Sequence, residues 1–128
     1  MCYTSEDVMA ATFNTDLINE VGRCIGEDCL AMGYSGLYGP GINMHRTAYS
    51  GRNFEYYAED PFVAGTICAA EVQGIQSKGV YVYLKHVALN DSETSRRGVN
   101  TWLNEQTARE IYLEVADKAI TDGEAWSV

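Results

Sequence analysis

Two adjacent residues that can bind a ligand follow an apolar run in the middle of the chain. Val80 to Leu84 are β-branched, aromatic or aliphatic, and Lys85 and His86 come directly after them. Unbroken apolar character predicts a strand that is covered on both faces, as in a parallel α/β sheet. Ligands bind at the carboxyl ends of such strands. We therefore predict that Lys85 and His86 belong to a binding site, the alternative being a solvated strand end with a structural histidine.

A long stretch without regular periodicity holds a second group of polar residues. Neither a helical nor a strand period holds between Gly39 and Glu59. About twenty residues are too many for a plain connector, so this stretch is predicted to be a functional loop. Its polar members are Asn43, His45, Arg46, Arg52, Asn53 and Glu55, with three tyrosines. The alternative for Arg52 is an ion pair with Glu55 or Glu59 that only tethers the loop.

Three helices are predicted to position this strand and loop. The first begins at an Asn14 cap and ends at Gly33, the second begins at Asp60-Pro61, and the third runs over residues 105–122 after an Asn104 cap. The predicted buried stripe of the first helix is Leu17, Val21, Ile25, Cys29 and Met32. That of the second is Ala64, Ile67, Cys68, Val72 and Ile75. That of the third is Ala108, Ile111, Tyr112, Val115, Ala116, Ala119 and Ile120.

The remaining segments complete a repeating order of helices and strands. Tyr34 to Tyr38 is a weaker strand candidate, Ala10 to Phe13 is predicted to be extended, and Ala125 to Val128 looks like the beginning of another strand. The pattern is that of an α/β protein with about three βα units. A complete eight-fold barrel needs ~250 residues, so a chain of 128 residues is predicted to be either a small α/β domain or a fragment.

Composition excludes several classes of protein. An apolar content of 46% and a charged content of 21% are ordinary for a soluble domain. The net charge of −9, with no basic cluster to offset it, argues against nucleic-acid binding. No apolar run approaches the ~20 residues of a membrane span, and the amino terminus lacks a signal-peptide pattern. We therefore predict a cytoplasmic protein with no membrane partner.

The four cysteines are predicted to be reduced. Cys2, Cys24, Cys29 and Cys68 include no Cys-x-x-Cys pair, and neither histidine completes a familiar zinc pattern. Cys29 and Cys68 stand among apolar residues, where a free cysteine behaves as a small hydrophobic side chain. We expect no metal site and no cofactor.

Several motifs in order along the chain resemble one family of enzymes. They are Gly39 to Arg46, Gly51 to Tyr57, Glu59 to Pro61, Gly74 to Gln76, Lys85-His86, Asn90-Asp91, Glu93-Thr94, Arg96 and Arg109 to Leu113. Together they resemble the N-terminal barrel of glycoside hydrolase family 3, which contains β-glucosidases and β-xylosidases. The resemblance covers nearly the whole chain. It implies that residues 1–128 are a single fragment of a (β/α)8 TIM barrel with parallel strands.

The resemblance also assigns roles to four residues. In the family, the arginine of the Gly-Arg-Asn-Phe-Glu motif and the Lys-His pair bind hydroxyl groups of the sugar in subsite −1, which places those roles on Arg52, Lys85 and His86. Arg96 matches an arginine that can line the same pocket. Such donors on a rigid strand end can hold neighbouring hydroxyl groups as an oxocarbenium-like state develops. The implied ligand is a terminal β-linked sugar.

Neither catalytic group of the family has a match in this sequence. Retaining glycosidases need two carboxylates about 5 Å apart. The family's nucleophile is an aspartate in a Ser-Asp-Trp-like motif, which is absent here, and its acid/base glutamate usually comes from a second domain. Asp91 and Glu93 match other positions and are predicted to order their loop. The chain is therefore predicted to carry no catalytic residue and to be inactive alone.

Two classes of function remain open. The first is a segment of a retaining exo-acting β-glycosidase that carries sugar-binding residues. The second is a self-associating α/β module or split-enzyme subunit with an interaction role, because open sheet edges and apolar faces seek partners. A homo-oligomer or a complementing chain is expected.

The exit of the key strand is predicted to be irregular. Successive side chains of a regular strand point to opposite faces. Lys85 and His86 can reach one sugar ring only if the backbone bends, so we expect an unusual peptide conformation between Lys85 and Ala88. Family members resembling this chain can have cis peptides there, and in this chain the segment is expected to relax to trans.

Overall fold

Helices and a short parallel sheet make up the computed structural model, which describes residues 2–128. The α-helices are α1 (Glu6–Ala10), α2 (Thr15–Ala31), α3 (Pro61–Gln76), α4 (Glu105–Thr107) and α5 (Leu113–Thr121). A 3-10 turn covers Asn53–Glu55, and a π-helical segment, Ala108–Tyr112, joins α4 to α5. Strands β1 (Gly36–Leu37) and β2 (Tyr81–Val82) pair in parallel, with Gly36 opposite Tyr81.

The three predicted caps begin the three main helical segments. The side chains of Asn14, Asp60 and Asn104 accept hydrogen bonds from backbone amides three residues later, at 3.0, 2.8 and 2.8 Å. Each bond satisfies a donor that the first helical turn leaves free. Gly33 follows α2 with a φ of +79°, a conformation that glycine adopts without strain. These predictions are confirmed. Caps can be predicted from the sequence because each depends on residues that are close along the chain.

The predicted stripe of helix α2 is confirmed only in part: Cys29 is buried and Val21 and Ile25 are partly buried against the core. Leu17 and Met32 are exposed, whereas Ile18, Gly22, Gly26 and Cys29 are buried. The reason is close packing against α3, since a Cβ at Gly22 would lie 2.4 Å from the carbonyl oxygen of Glu71. Two backbones can approach this closely only where glycine faces the neighbour, so the glycines, rather than the aliphatic positions, select the buried face.

Strand β2 is covered on one face, not on both as predicted. Val80, Val82 and Leu84 are buried, but Tyr81 and Tyr83 are exposed. Side chains alternate along a strand, and the aliphatic side chains of this segment pack in one core with residues of the helices. The predicted apolar face of α3 is confirmed: Ala64, Ile67, Cys68, Val72 and Ile75 are all buried.

The ends of the chain differ from prediction. The segment that begins at Ala10 is not extended, because Ala10 ends helix α1. No strand forms over residues 125–128, although the amide of Leu84 donates to the carbonyl of Ser127 at 3.3 Å, so this segment lies beside β2. In the last helical segment, Tyr112, Val115, Ala116 and Ala119 are buried as predicted, whereas Ile120 is exposed.

The four cysteines divide into two buried and two exposed thiols. Cys29 and Cys68 are buried, as predicted, and Cys2 and Cys24 are exposed. Within residues 2–128, no helix has the length and apolar character that crossing a membrane requires.

Candidate functional site

The carboxyl end of β2 leads into an irregular turn that carries Lys85 and His86. The amide of Lys85 donates to the carbonyl of Pro40 at 3.2 Å, and Lys85 forms a parallel bridge with Gly41. The Lys85–His86 and Val87–Ala88 peptide bonds are cis. The predicted irregularity is therefore confirmed, and the expected relaxation to trans is wrong.

Two glutamates connect the three predicted cationic residues. Lys85 Nζ lies 2.8 Å from Glu55 Oε2, and Arg52 Nε is paired with the other oxygen of Glu55. Arg52 Nη1 lies 3.4 Å from Glu93 Oε1, and Arg96 Nη1 lies 3.4 Å from Glu93 Oε2. Arg52 and Lys85 therefore share one carboxylate, whereas Arg96 joins the cluster only through Glu93 and has a half-exposed side chain.

The charges of this cluster fix the ionisation of its carboxylates. Burial raises the pKa of Glu55, but hydrogen bonds from Arg52 and Lys85 oppose it and leave that pKa below its ordinary value. The amide of Asn90, with Arg96 and Arg52 nearby, lowers the pKa of Glu93. Both carboxylates are thus ionised at neutral pH and hold the cationic side chains in place.

The buried side chain of Tyr56 contacts the ring of His86. The Tyr56 hydroxyl accepts a hydrogen bond from Asn90 Nδ2 at 2.9 Å and lies 3.0 Å from His86 Nδ1. Burial, followed by the charges of Arg52 and Lys85, lowers the pKa of His86. With its proton on Nε2, the neutral ring of His86 accepts a hydrogen bond from the Tyr56 hydroxyl at Nδ1 and presents Nε2–H as a donor beside two cations.

A second polar cluster holds the loop that carries Asn90 and Glu93. Asn43 donates to Asp91 Oδ1 at 2.6 Å and accepts from the amide of Asn90 at 2.8 Å. The hydroxyl of Tyr112, in the π-helical segment, donates to Asp91 Oδ2 at 2.6 Å. Asp91 orders its loop, as predicted. Glu93 does so as well, since its amide donates to the carbonyl of Ser50, but its carboxylate also belongs to the candidate site.

Comparison with known proteins decides the family. The sequence model of the glycosyl hydrolase family 3 N terminal domain matches residues 3–128. The chain belongs to this family. It is 39% identical over 127 residues to thermostable β-glucosidase B of Acetivibrio thermocellus, in an alignment that covers 99% of this chain and 17% of that protein. It is 43% identical over 121 residues to a β-glucosidase of Ruminococcus albus, covering 94% of this chain and 13% of that protein.

Solved family 3 structures have the same fold over this segment. β-Glucosidase 3B from Thermotoga neapolitana in complex with glucose superposes with a TM-score of 0.95 at 39% identity, covering 98% of this chain and 18% of that chain. β-Glucosidase from Kluyveromyces marxianus in complex with glucose gives a TM-score of 0.96 at 32% identity. The chain therefore spans less than a fifth of the length of these family 3 relatives.

Four residues of the site carried no predicted binding role. Glu55, Tyr56 and Glu93 lie inside motifs that define the family resemblance, and Asn90 begins another. The signal for Glu55 was its spacing of three residues from Arg52, and the tethering ion pair considered for Arg52 does form. The contact of Tyr56 with His86 joins residues 30 positions apart, which no local pattern reveals.

The geometry offers hydrogen-bond donors at one edge of a cavity. Lys85 and His86 line a cavity of about 480 Å³ together with Tyr38 and Tyr83. Arg52 reaches the same neighbourhood through Glu55. Fixed cationic donors and a neutral imidazole can bind neighbouring hydroxyl groups. No group of three or more His, Cys, Asp or Glu side chains within residues 2–128 is placed to hold a metal ion.

Proposed function

We propose that this chain is a segment of a retaining exo-acting β-glycosidase of the β-glucosidase type, and that it binds a terminal β-linked sugar. Arg52, Lys85 and His86 bind hydroxyl groups of that sugar in subsite −1, and Arg96 lies at the margin. The observation that carries the proposal is the sharing of Glu55 by Arg52 and Lys85. It holds two donors in fixed positions before a ligand arrives, which reduces the cost of ordering them on binding.

The same proposal concerns the fold of the segment and the two catalytic carboxylates that it lacks. Residues 1–128 form part of a (β/α)8 TIM barrel with about three βα units, and the parallel pairing of β1 with β2 supports this arrangement. The nucleophile and the acid/base belong to other parts of the complete enzyme, so the chain alone does not hydrolyse β-glycosides. Without these two carboxylates, no group attacks the sugar as nucleophile and none protonates the leaving group. Cytoplasmic location and the absence of nucleic-acid partners remain predictions from the sequence.

A segment replacement tests the binding roles. The matching segment of β-glucosidase 3B from Thermotoga neapolitana would be exchanged for this chain, and hydrolysis of an aryl β-glucoside would be measured. We expect activity in the hybrid, and a loss of ~2–3 kcal/mol in transition-state binding with Lys85→Ala, because a charge-assisted hydrogen bond is removed. Lys78→Ala is the matched control, since Lys78 pairs with Glu27 away from the site. Unchanged kcat/KM in Lys85→Ala would contradict the assignment.

A second candidate function rests on exposed aromatic residues. Tyr38, Tyr81 and Tyr83 form a row with ring centroids 6.3 and 5.4 Å apart on the uncovered side of β2. Exposed aromatic surface of this kind favours association, so a self-associating module or a complementing chain is the alternative. Sedimentation at high concentration tests it: oligomers are expected, and a single 14.1 kDa species would count against it.

A further inference from the structure

The carboxyl group of Glu6, in helix α1, is hydrogen-bonded to the backbone of Gly41 in the long loop. Gly41 in turn pairs with Lys85 at the end of β2. Both carboxyl oxygens of Glu6 lie 3.0 Å from the amide nitrogen of Gly41, which donates to them. Gly41 forms a parallel bridge with Lys85, and a Cβ at Gly41 would lie 1.9 Å from the carbonyl oxygen of Glu55. The residue that Glu6 contacts therefore touches both members of the Lys85–Glu55 ion pair.

A second carboxyl group influences Glu6 from helix α3. Glu71 is 2% exposed and accepts a hydrogen bond of 2.6 Å from the hydroxyl of Tyr57. Burial raises the pKa of Glu71 to about 7, against the lowering effect of the Tyr57 bond. Burial, and then the charge of Glu71, raises the pKa of Glu6 well above its ordinary value.

Other groups that act on Glu6 come from each neighbouring segment. The amide of Gly41 and the ammonium group of Lys85, from the end of β2, favour its ionised form, whereas Glu55 in the long loop opposes it. The phenol of Tyr57, also in the long loop, reaches Glu71 directly. For each of the two carboxyl groups burial is the largest cause of the raised pKa, because a charge is costly where it is removed from water.

We propose that Glu6 is a positioning residue for the Lys85–Glu55 ion pair, acting through its hydrogen bonds to the Gly41 amide and the pairing of Gly41 with Lys85. The role of Glu6 in binding rests on the proposed function, because Lys85 matters to a sugar only if Lys85 binds it. A change in the charge of Glu6 changes the hydrogen bond at Gly41, and the position of Lys85 changes with it.

Nuclear magnetic resonance of the 15N-labelled 128-residue chain tests this directly. The amide signals of Gly41 and Lys85 would be followed from acidic to alkaline pH. We expect both to move with a common midpoint above the ordinary value of a glutamate, because Glu6 is bonded to Gly41 and its pKa is raised. Glu71→Gln should lower that midpoint, since the charge of Glu71 is one of the causes that raise the pKa of Glu6. Glu6→Gln should abolish the movement at Gly41, and Glu20→Gln, on exposed surface, should leave the midpoint unchanged.

Several results would overturn the proposal. One is a Gly41 amide that does not titrate, and another is a Gly41 amide that titrates equally in Glu6→Gln. A Lys85 amide that does not follow Gly41 would reduce Glu6 to a purely structural contact. If a variant fails to fold, 13C labelling of the glutamate carboxyl groups in the natural chain decides, because a Glu6 carboxyl group whose titration the Gly41 and Lys85 amides do not follow would contradict the proposal. These signals do not depend on sugar binding, so failure of the segment replacement leaves them interpretable.

Discussion

The two sides of strand β2 differ in how completely they are packed. On the helix side, Val80 and Val82 are fully buried, and α2 and α3 contact each other backbone to backbone. On the other side, Tyr81 and Tyr83 are exposed and lead to the cavity beside Lys85. One side therefore supplies the stability of the fold, and the other side presents the residues that can bind a ligand.

A Cβ introduced at the closest contact between α2 and α3 should have the largest effect on stability. Gly74→Ala places a Cβ 2.2 Å from the carbonyl oxygen of Asn19, and neither backbone can move without separating α2 from α3. We expect a loss of ~3 kcal/mol in the free energy of unfolding, measured by urea denaturation. Gly98→Ala is the control, because the nearest atom to its Cβ is 3.9 Å away. Equal stability of the two variants would contradict the close contact.

The buried charge on the packed side should make stability depend on pH. Because the folded-state pKa of Glu71 is raised from 4.5 to about 7, the native protein retains a proton that the unfolded chain releases. Stability should therefore fall as pH rises from about 4.5 to about 7. Glu71→Gln removes this dependence, so the variant should gain on the order of 2–3 kcal/mol relative to the natural chain between acidic and alkaline pH.

Thermal or urea unfolding at several pH values measures that relative gain. The difference between variant and natural chain is the informative quantity, because it cancels the groups that do not interact with Glu71. Gln73→Glu would be a poor control, since Gln73 bonds the carbonyl of Asp122; Glu20→Gln, with a largely exposed side chain, is preferable. Parallel pH curves for Glu71→Gln and the natural chain would show that Glu71 is ionised in both states.

Two side-chain truncations in the same segment, one on each side, compare the packed and the open side of β2 directly. Val82→Ala removes fully buried methyl groups and should cost about 2 kcal/mol of unfolding free energy. Tyr83→Ala removes a larger side chain that is 43% exposed, and its cost should be less than about 1 kcal/mol. The larger deletion should thus be the milder one. A reversed order, measured in the same denaturation experiment, would mean that the open side is covered in solution, as self-association predicts.

How much could be predicted from the sequence depends on the range of the interaction. The caps at Asn14, Asp60 and Asn104 were predictable because each bonds an amide three residues away. The buried face of α2 was predicted only in part, because the burial of Gly22 depends on its contact with Glu71 in another helix. Within the site, the resemblance pointed to the donors, but their carboxylate and phenol partners emerged only in three dimensions.

A small effect on stability, with a more specific spectroscopic result, is expected at the contact of Tyr56 with His86. Tyr56→Phe removes the hydroxyl that lies 3.0 Å from His86 Nδ1 and accepts from Asn90 at 2.9 Å. We expect a loss of about 1 kcal/mol in unfolding free energy, since a buried amide and a ring nitrogen lose one partner. The more specific result is a shift of the His86 proton from Nε2 towards Nδ1, because nothing then donates to Nδ1. Two-bond 15N correlations of the histidine ring measure the tautomers, with the exposed Tyr49→Phe as control. An unchanged Nε2 tautomer in Tyr56→Phe would show that Tyr56 does not orient the imidazole.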